Sequence, residues 1–186
     1  MSTENAFPPK PEVLSTRRVY SGAVVNLRVD EIRSRSGTVK REVVEHPGAV
    51  VIAAVDERGR VALARQYRHP VGDLLLELPA GGLEPGEDPE AAARRELREE
   101  VGLEAGEWHL LGSFFSSPGF LREELHAFLA TRLTVTDRDL DDDEEIDVIW
   151  ARVEDLDSGE IPLRDAKTLA TLHLLLRHVA QRRTAS

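Results

Sequence analysis

The stretch Gly81-Gly82-Leu83-Glu84-Pro85-Gly86-Glu87-Asp88-Pro89-Glu90-Ala91-Ala92-Ala93-Arg94-Arg95-Glu96-Leu97-Arg98-Glu99-Glu100-Val101-Gly102-Leu103 decides how this chain is read. A glycine-rich loop runs into a short helix. Asp88 suits the N-cap, and Pro89 suits the first helical position, where its missing N–H costs nothing. Gly102 reads as the left-handed residue that stops the helix. Leu97 and Val101 fall on one face and supply a core contact. Glu96, Glu99 and Glu100 stack on another, at i, i+3 and i+4.

That stack is locally unfavourable. Like charges at this spacing repel, and the last turn of a helix already presents negative charge. Arg95 reaches Glu99 at i+4, while the wheel leaves Glu96 and Glu100 without a cation. A merely solvated helix would alternate its signs and keep acids from its C-terminus. A hard divalent cation with oxygen ligands turns the same repulsion into binding.

The spacing Gly81-x5-Glu87-x7-Arg95-Glu96-Leu97-x-Glu99-Glu100-x-Gly102-Leu103 resembles the Nudix hydrolase box at every defined position. The resemblance implies magnesium, with manganese as an alternative, held by Glu96, Glu99 and Glu100. The backbone carbonyl of Ala80 joins them in relatives. It also implies water attacking a phosphorus of a nucleoside diphosphate linked to another group. Arg95 resembles the arginine that orients a glutamate, and Glu87 the residue that braces the loop. The fold implied is α/β, an α/β/α sandwich.

Composition sets the outer bounds. The 186 residues suit one domain with a small addition, and 41% hydrophobic with 31% charged residues is ordinary for a globular chain. The net charge of −10 argues against a broad nucleic-acid surface. No apolar run approaches a membrane span, the polar opening through Lys10 is no signal peptide, and the lack of cysteine points to the cytoplasm. A sequence-based division gives residues 1–46 as an N-terminal antiparallel β segment and 47–186 as the hydrolase domain.

Residues up to about Pro11 read as a disordered tail. Short strands are expected at Val19–Tyr20, Val24–Val29 and Val39–Val44, punctuated by Ser-Gly turns. Ala49–Val55 is uniformly apolar and reads as a strand buried on both faces, with Arg60–Gln66 as its hairpin partner. Leu74–Leu78, Trp108–Phe115, Glu124–Leu133 and Ile146–Val153 complete the strands. Asp165–Gln181 reads as an amphipathic helix with Leu169, Leu172, Leu176 and Val179 inward. The strand-rich start resembles the dinucleotide-sugar branch of the Nudix family, which implies a homodimer paired through that segment.

Three segments narrow the substrate toward ADP-ribose. Ser117-Pro118-Gly119-Phe120 resembles a turn of ADP-ribose pyrophosphatases, which implies substrate contacts at Ser117, Gly119 and the following Glu123. Arg65-Gln66-Tyr67-Arg68 resembles a segment whose second arginine, here Arg68, reaches the substrate phosphates, a task suited to a guanidinium. In Arg41-Glu42-Val43-Val44-Glu45-His46, the polar residues Arg41 and Glu42 resemble contacts to adenine or ribose. Leu121-Arg122 departs from the small polar residue and acid found in relatives, which leaves another nucleoside diphosphate sugar or a damaged nucleotide open. The acidic run before Ile146 resembles a loop carrying a catalytic glutamate. Glu144 fits that place best, Glu145 is the alternative, and among the box residues Glu99 is the next candidate base. A reading from another class, a nucleotide-sugar sensor without turnover, leaves the intact carboxylate set without a task.

Overall fold

The computed structural model describes residues 10–140 and 145–184. Along the chain run β1 (Val13–Ser21), β2 (Asn26–Ser34), β3 (Gly37–Glu45), β4 (Ala49–Ala54), β5 (Arg60–Arg68), β6 (Asp73–Glu77) and β7 (Ala80–Gly82). There follow α1 (Pro89–Val101), β8 (Leu103–Phe115), β9 (Leu121–Arg122), β10 (Glu124–Val135), β11 (Ile146–Arg152), α2 (Val153–Ser158) and α3 (Ala166–Thr184). Two compact units divide them: Met1–His46 with Ser117–Arg122, and Pro47–Ser116 with Glu123–Ser186.

The first unit is a sheet in the order β1-β2-β3-β9. The first three strands form an antiparallel meander, and β9 adds to β3 in parallel at Val44↔Leu121 and Glu45↔Arg122. β1 is far longer than the expected Val19–Tyr20. Its residues pair with β2 from Val13↔Ile32 to Ser21↔Asn26, so backbone bonding rather than apolar alternation makes it a strand. Arg28 ties this sheet together by bonding Asp30 at 3.0–3.1 Å and also Glu45, which takes Arg18 at 2.8 Å.

The second unit holds two sheets, β7-β4-β10-β8 and β11-β5-β6. β4 is buried along its whole length, as its unbroken apolar run requires. Its residues alternate between two cores. Val50, Ile52 and Ala54 pack with Ala92, Ala93, Leu97 and Val101 of α1. Val51 and Ala53 pack with Leu156 of α2 and with Leu172 and Leu175 of α3. Helices therefore cover both faces of β4's sheet, the layering expected of an α/β fold.

Three expectations need correcting. β4 and β5 do not form a hairpin ladder: Val55↔Val61 is an isolated bridge, and the strands part into different sheets. The edges of β4 are taken by β7, antiparallel, and by β10, parallel. The inward face of α3 is Thr168, Thr171, Leu172 and Leu175, whereas Leu169 is 50% and Val179 38% exposed. Two hydroxyl side chains occupy core positions that apolarity alone would give to leucine. Finally, β7, β9 and α2 form where only loop was expected, and β8 starts directly after Gly102.

Candidate active site

Helix α1 is built as its sequence dictates. Asp88 Oδ2 accepts the N–H of Glu90 at 3.1 Å and of Ala91 at 3.2 Å. Gly102 lies at φ 64°, ψ 43° and donates to the Arg98 carbonyl at 3.0 Å. A Cβ there would meet Arg138 Cγ at 2.6 Å and the Thr136 carbonyl at 3.0 Å, so glycine is required by space as well as by backbone. Leu97 is fully buried, and such burial contributes about 1.5–3 kcal/mol. Each like-charge pair costs only about 0.2–0.5 kcal/mol. Packing therefore outweighs the repulsion, and the acidic face persists.

Arg95 organises that face. Its Nε and Nη2 donate to Glu87 at 3.1 and 3.0 Å, and Nη2 also reaches the Gly82 carbonyl at 3.1 Å. Nη1 donates to Glu96 at 2.6 Å and to Glu99 at 3.1 Å. The helical wheel left Glu96 without a cation. The structure corrects this, because the guanidinium folds back toward its sequence neighbour. The bonds to Glu87 lead the causes that hold Arg95 more firmly protonated than usual. The same bonds, with the Glu84 N–H donating at 3.0 Å, keep the Glu87 carboxyl below the usual range.

Glu100 is almost fully buried, and its Oε2 accepts the Ala80 N–H at 2.9 Å. Ala80 sits in β7, paired with Val51 of β4. Next to it, a Cβ on Gly81 would lie 2.0 Å from Glu96 Cδ and Oε1. The carboxylate of Glu96 thus occupies space that any other residue at 81 would fill. Among the described residues, no three carboxylates or imidazoles are already gathered as a metal cage. The donor chemistry nevertheless fits a hard cation, with three carboxylates on one helix face and Glu100 among them bonded to the Ala80 N–H. Glu96 and Glu99 would then give up Arg95 Nη1.

Arg68 gives a different picture from the one expected. Its Nε and Nη2 donate to Glu77 at 3.0 and 2.7 Å, committing two of its donors within the protein. Glu77 is 1% exposed and also takes Lys167. Burial alone would raise its carboxyl, but the Arg68 bonds and the Lys167 charge outweigh that and hold it below the usual range. Arg65 pairs with Asp147 at 2.6 Å.

The remaining candidates are dispersed. Arg41 and Glu42 are exposed on β3, and Arg41 Nη1 bonds the Lys40 carbonyl at 2.9 Å. Ser117 and Gly119 lie in the turn before β9, where the Ser117 carbonyl accepts from Phe120 and Leu121 and the Phe120 carbonyl accepts from Val44. They share the first unit with Arg41 and Glu42. Glu123 is half-buried in the second unit, its carbonyl bonded to the Ser116 N–H at 3.2 Å. Glu144 lies outside the described residues, and Glu145 is exposed.

Sequence reasoning missed four residues around the carboxylates. Arg138 Nη2 donates to the Glu100 carbonyl at 2.6 Å and to the Ile146 carbonyl at 2.9 Å, joining the end of α1 to the start of β11. A cation suits a helix C-terminus. Glu77, Lys167 and Thr168 form a network behind β7. Glu77 alone carried a signal, as an acid embedded in an apolar strand.

The NUDIX domain family model matches residues 44–172. The ADP-ribose pyrophosphatase of Bacillus subtilis is 39% identical over 171 residues, covering 88% of this chain and 91% of that protein. The ADP-ribose pyrophosphatase of Mycobacterium tuberculosis is 45% identical, covering 74% and 67%. The methanol dehydrogenase activator of Bacillus methanolicus is 42% identical, covering 74% and 76%. A crystal structure of an ADP compounds hydrolase shares the fold, with a TM-score of 0.80 at 22% identity over 94% of this chain and 96% of that one. The chain belongs to the Nudix family.

Proposed function

We propose that this protein is a magnesium-dependent ADP-ribose diphosphatase, cleaving the pyrophosphate bond with water to give AMP and ribose 5-phosphate. The carrying observation is the α1 acidic face, with Glu96 seated against Gly81 and Glu100 on the Ala80 N–H of β7, and Glu99 joined to Glu96 through Arg95 Nη1. The relatives named as ADP-ribose pyrophosphatases support the substrate.

Glu96, Glu99, Glu100 and the Ala80 carbonyl are the ligands for magnesium or manganese. A bound cation there supplies charge for the phosphoryl oxygens and a lowered pKa for the attacking water. Before a cation binds, Arg95 Nη1 holds Glu96 and Glu99 together, and in either state Arg95 braces the loop through Glu87. Glu144 is the carboxylate that takes the water's proton, with Glu145 and then Glu99 as alternatives. Arg68, Arg41, Glu42, Ser117, Gly119 and Glu123 bind the substrate. For Arg68, the pair with Glu77 leaves phosphate contact to the rest of the guanidinium or requires the pair to open.

The first unit serves a homodimer. Its β1 is exposed throughout and carries Val13 at 57%, Val19 at 47% and Tyr20 at 57%, apolar surface suited to a second copy. The absence of cysteine supports a cytoplasmic setting. A second reading, another nucleoside diphosphate sugar, is favoured by Leu121-Arg122, both tied into β9 against β3. Product analysis on ADP-ribose, UDP-glucose, GDP-mannose, diadenosine polyphosphates and 8-oxo-dGTP, with each metal, separates the two. Preferential release of AMP from ADP-ribose supports the first; preference for a UDP- or GDP-sugar replaces it with the second.

A further inference from the structure

Residues 77–81 lead to the carboxylate face, and residues 77–80 are each fixed by a different contact. Glu77 takes Arg68 and Lys167. The Leu78 N–H donates to Thr168 Oγ1 at 2.9 Å. The Pro79 carbonyl accepts the Ile52 N–H at 2.9 Å. The Ala80 N–H donates to Glu100 at 2.9 Å, and Gly81 leaves room for the Glu96 carboxylate. Two of these ties come from the first turn of α3, which belongs to no sequence motif of the reaction.

The geometry of that turn orients a single hydroxyl. Asp165 Oδ2 accepts the Thr168 N–H at 2.9 Å and its hydroxyl proton at 2.7 Å, and takes Lys167 at 3.1 Å. The one proton of Thr168 Oγ1 is therefore committed to Asp165, and a lone pair is left for Leu78. Thr168 and Leu78 are both fully buried, so water cannot replace this bond. Valine has nearly the same shape as threonine but cannot accept the bond.

We propose that Thr168 is a positioning residue for the metal-binding face. Held by Asp165, its hydroxyl fixes the segment that presents the Ala80 carbonyl and abuts Glu96 and Glu100. The inference rests on the metal reading given above. Groups that orient metal ligands from outside the ligand set commonly set affinity by ten- to a hundredfold.

Thr168→Val and Thr168→Ser test it in the full-length protein, by titrating Mn2+ without substrate under electron paramagnetic resonance and by following thermal melting. Thr168→Ser should bind Mn2+ within about twofold of wild type, and Thr168→Val about ten- to a hundredfold more weakly while still folded. Equal Mn2+ affinity in all three proteins, with only the melting temperature of Thr168→Val reduced, overturns the proposal and leaves Thr168 a purely structural residue. Should Thr168→Val not fold, Thr168→Ala removes the same acceptor without crowding and is read the same way. No Mn2+ binding by the wild type would refute the metal reading itself, an outcome distinct from failure of the Thr168 inference alone.

Discussion

Replacing Gly81 with alanine separates the stability of this fold from the operation of its site. The added Cβ would lie 2.0 Å from Glu96 Cδ and Oε1 and 2.2 Å from Oε2, whereas real Cβ atoms essentially never approach below 3.0 Å. The carboxylate must therefore retreat by at least about 1 Å. It is the end of a flexible side chain, so the backbone need not move. Gly81 is not among the positive-φ glycines, and alanine fits its backbone. A compatible Gly→Ala change stabilises by about 0.4–1 kcal/mol through the unfolded state. That gain offsets the rotamer change in Glu96, so the melting temperature should stay within about 4 °C of wild type. Catalysis should not be spared, because a misplacement of about 1 Å can cost roughly a hundredfold in rate. The assay is kcat/KM for ADP-ribose at saturating magnesium, paired with a thermal melt. A folded Gly81→Ala protein within about threefold of wild type would show that the position of the Glu96 carboxylate is immaterial, far below the ~100-fold expected.

Four further outcomes are expected. Glu100→Gln should lower kcat at least about a hundredfold, and chelation should abolish turnover; full activity in excess chelator would refute the metal reading. Glu77 has its carboxyl held below the ordinary 4.5, so its contribution to stability is present above that pH and is lost as pH falls through the lower folded value. Glu77→Gln should be less stable at neutral pH by roughly 1.5–3 kcal/mol, the range for hydrogen bonds to a charged group, since Arg68 keeps solvent contact, yet decline less steeply in acid; parallel acid limbs would contradict this. Light scattering should give about twice the 20.7 kDa chain mass if β1 pairs across two copies, and a monomer at working concentration would remove that part of the reading.

The box helix was legible because its signals are local. Asp88, Pro89 and Gly102 act within one turn of themselves, and the burial of Leu97 and Val101 follows from period alone. The β4–β5 pairing was misread because the true neighbours of β4 are distant. Ala49 pairs with Gly82 on one side and with Leu125 on the other, and no turn signal announces either. The face of α3 was misread because apolarity ranks Leu169 above Thr168. The hydroxyl of Thr168 faces inward for a partner 90 residues away, and Lys167 for another at the same distance. The wheel gave the Arg95–Glu99 pair at i+4, but the contact from Arg95 to its neighbour Glu96 lay beyond it, because a wheel gives directions and not the reach of a guanidinium.

The parallel addition of β9 to β3 has a consequence for the order in which the protein is made. The three strands of the first sheet are complete at Glu45, but their fourth, Leu121–Arg122, follows only after β4 to β8 and the whole of α1. At roughly 5–20 residues per second, synthesis leaves the β3 edge waiting several seconds for its partner. Val44 N–H, which finally bonds the Phe120 carbonyl at 2.8 Å, stands open to any other strand in that interval. The nascent chain is then most vulnerable to mispairing while its carboxylate helix is being made, and slowing translation between residues 46 and 121 would lengthen that exposure.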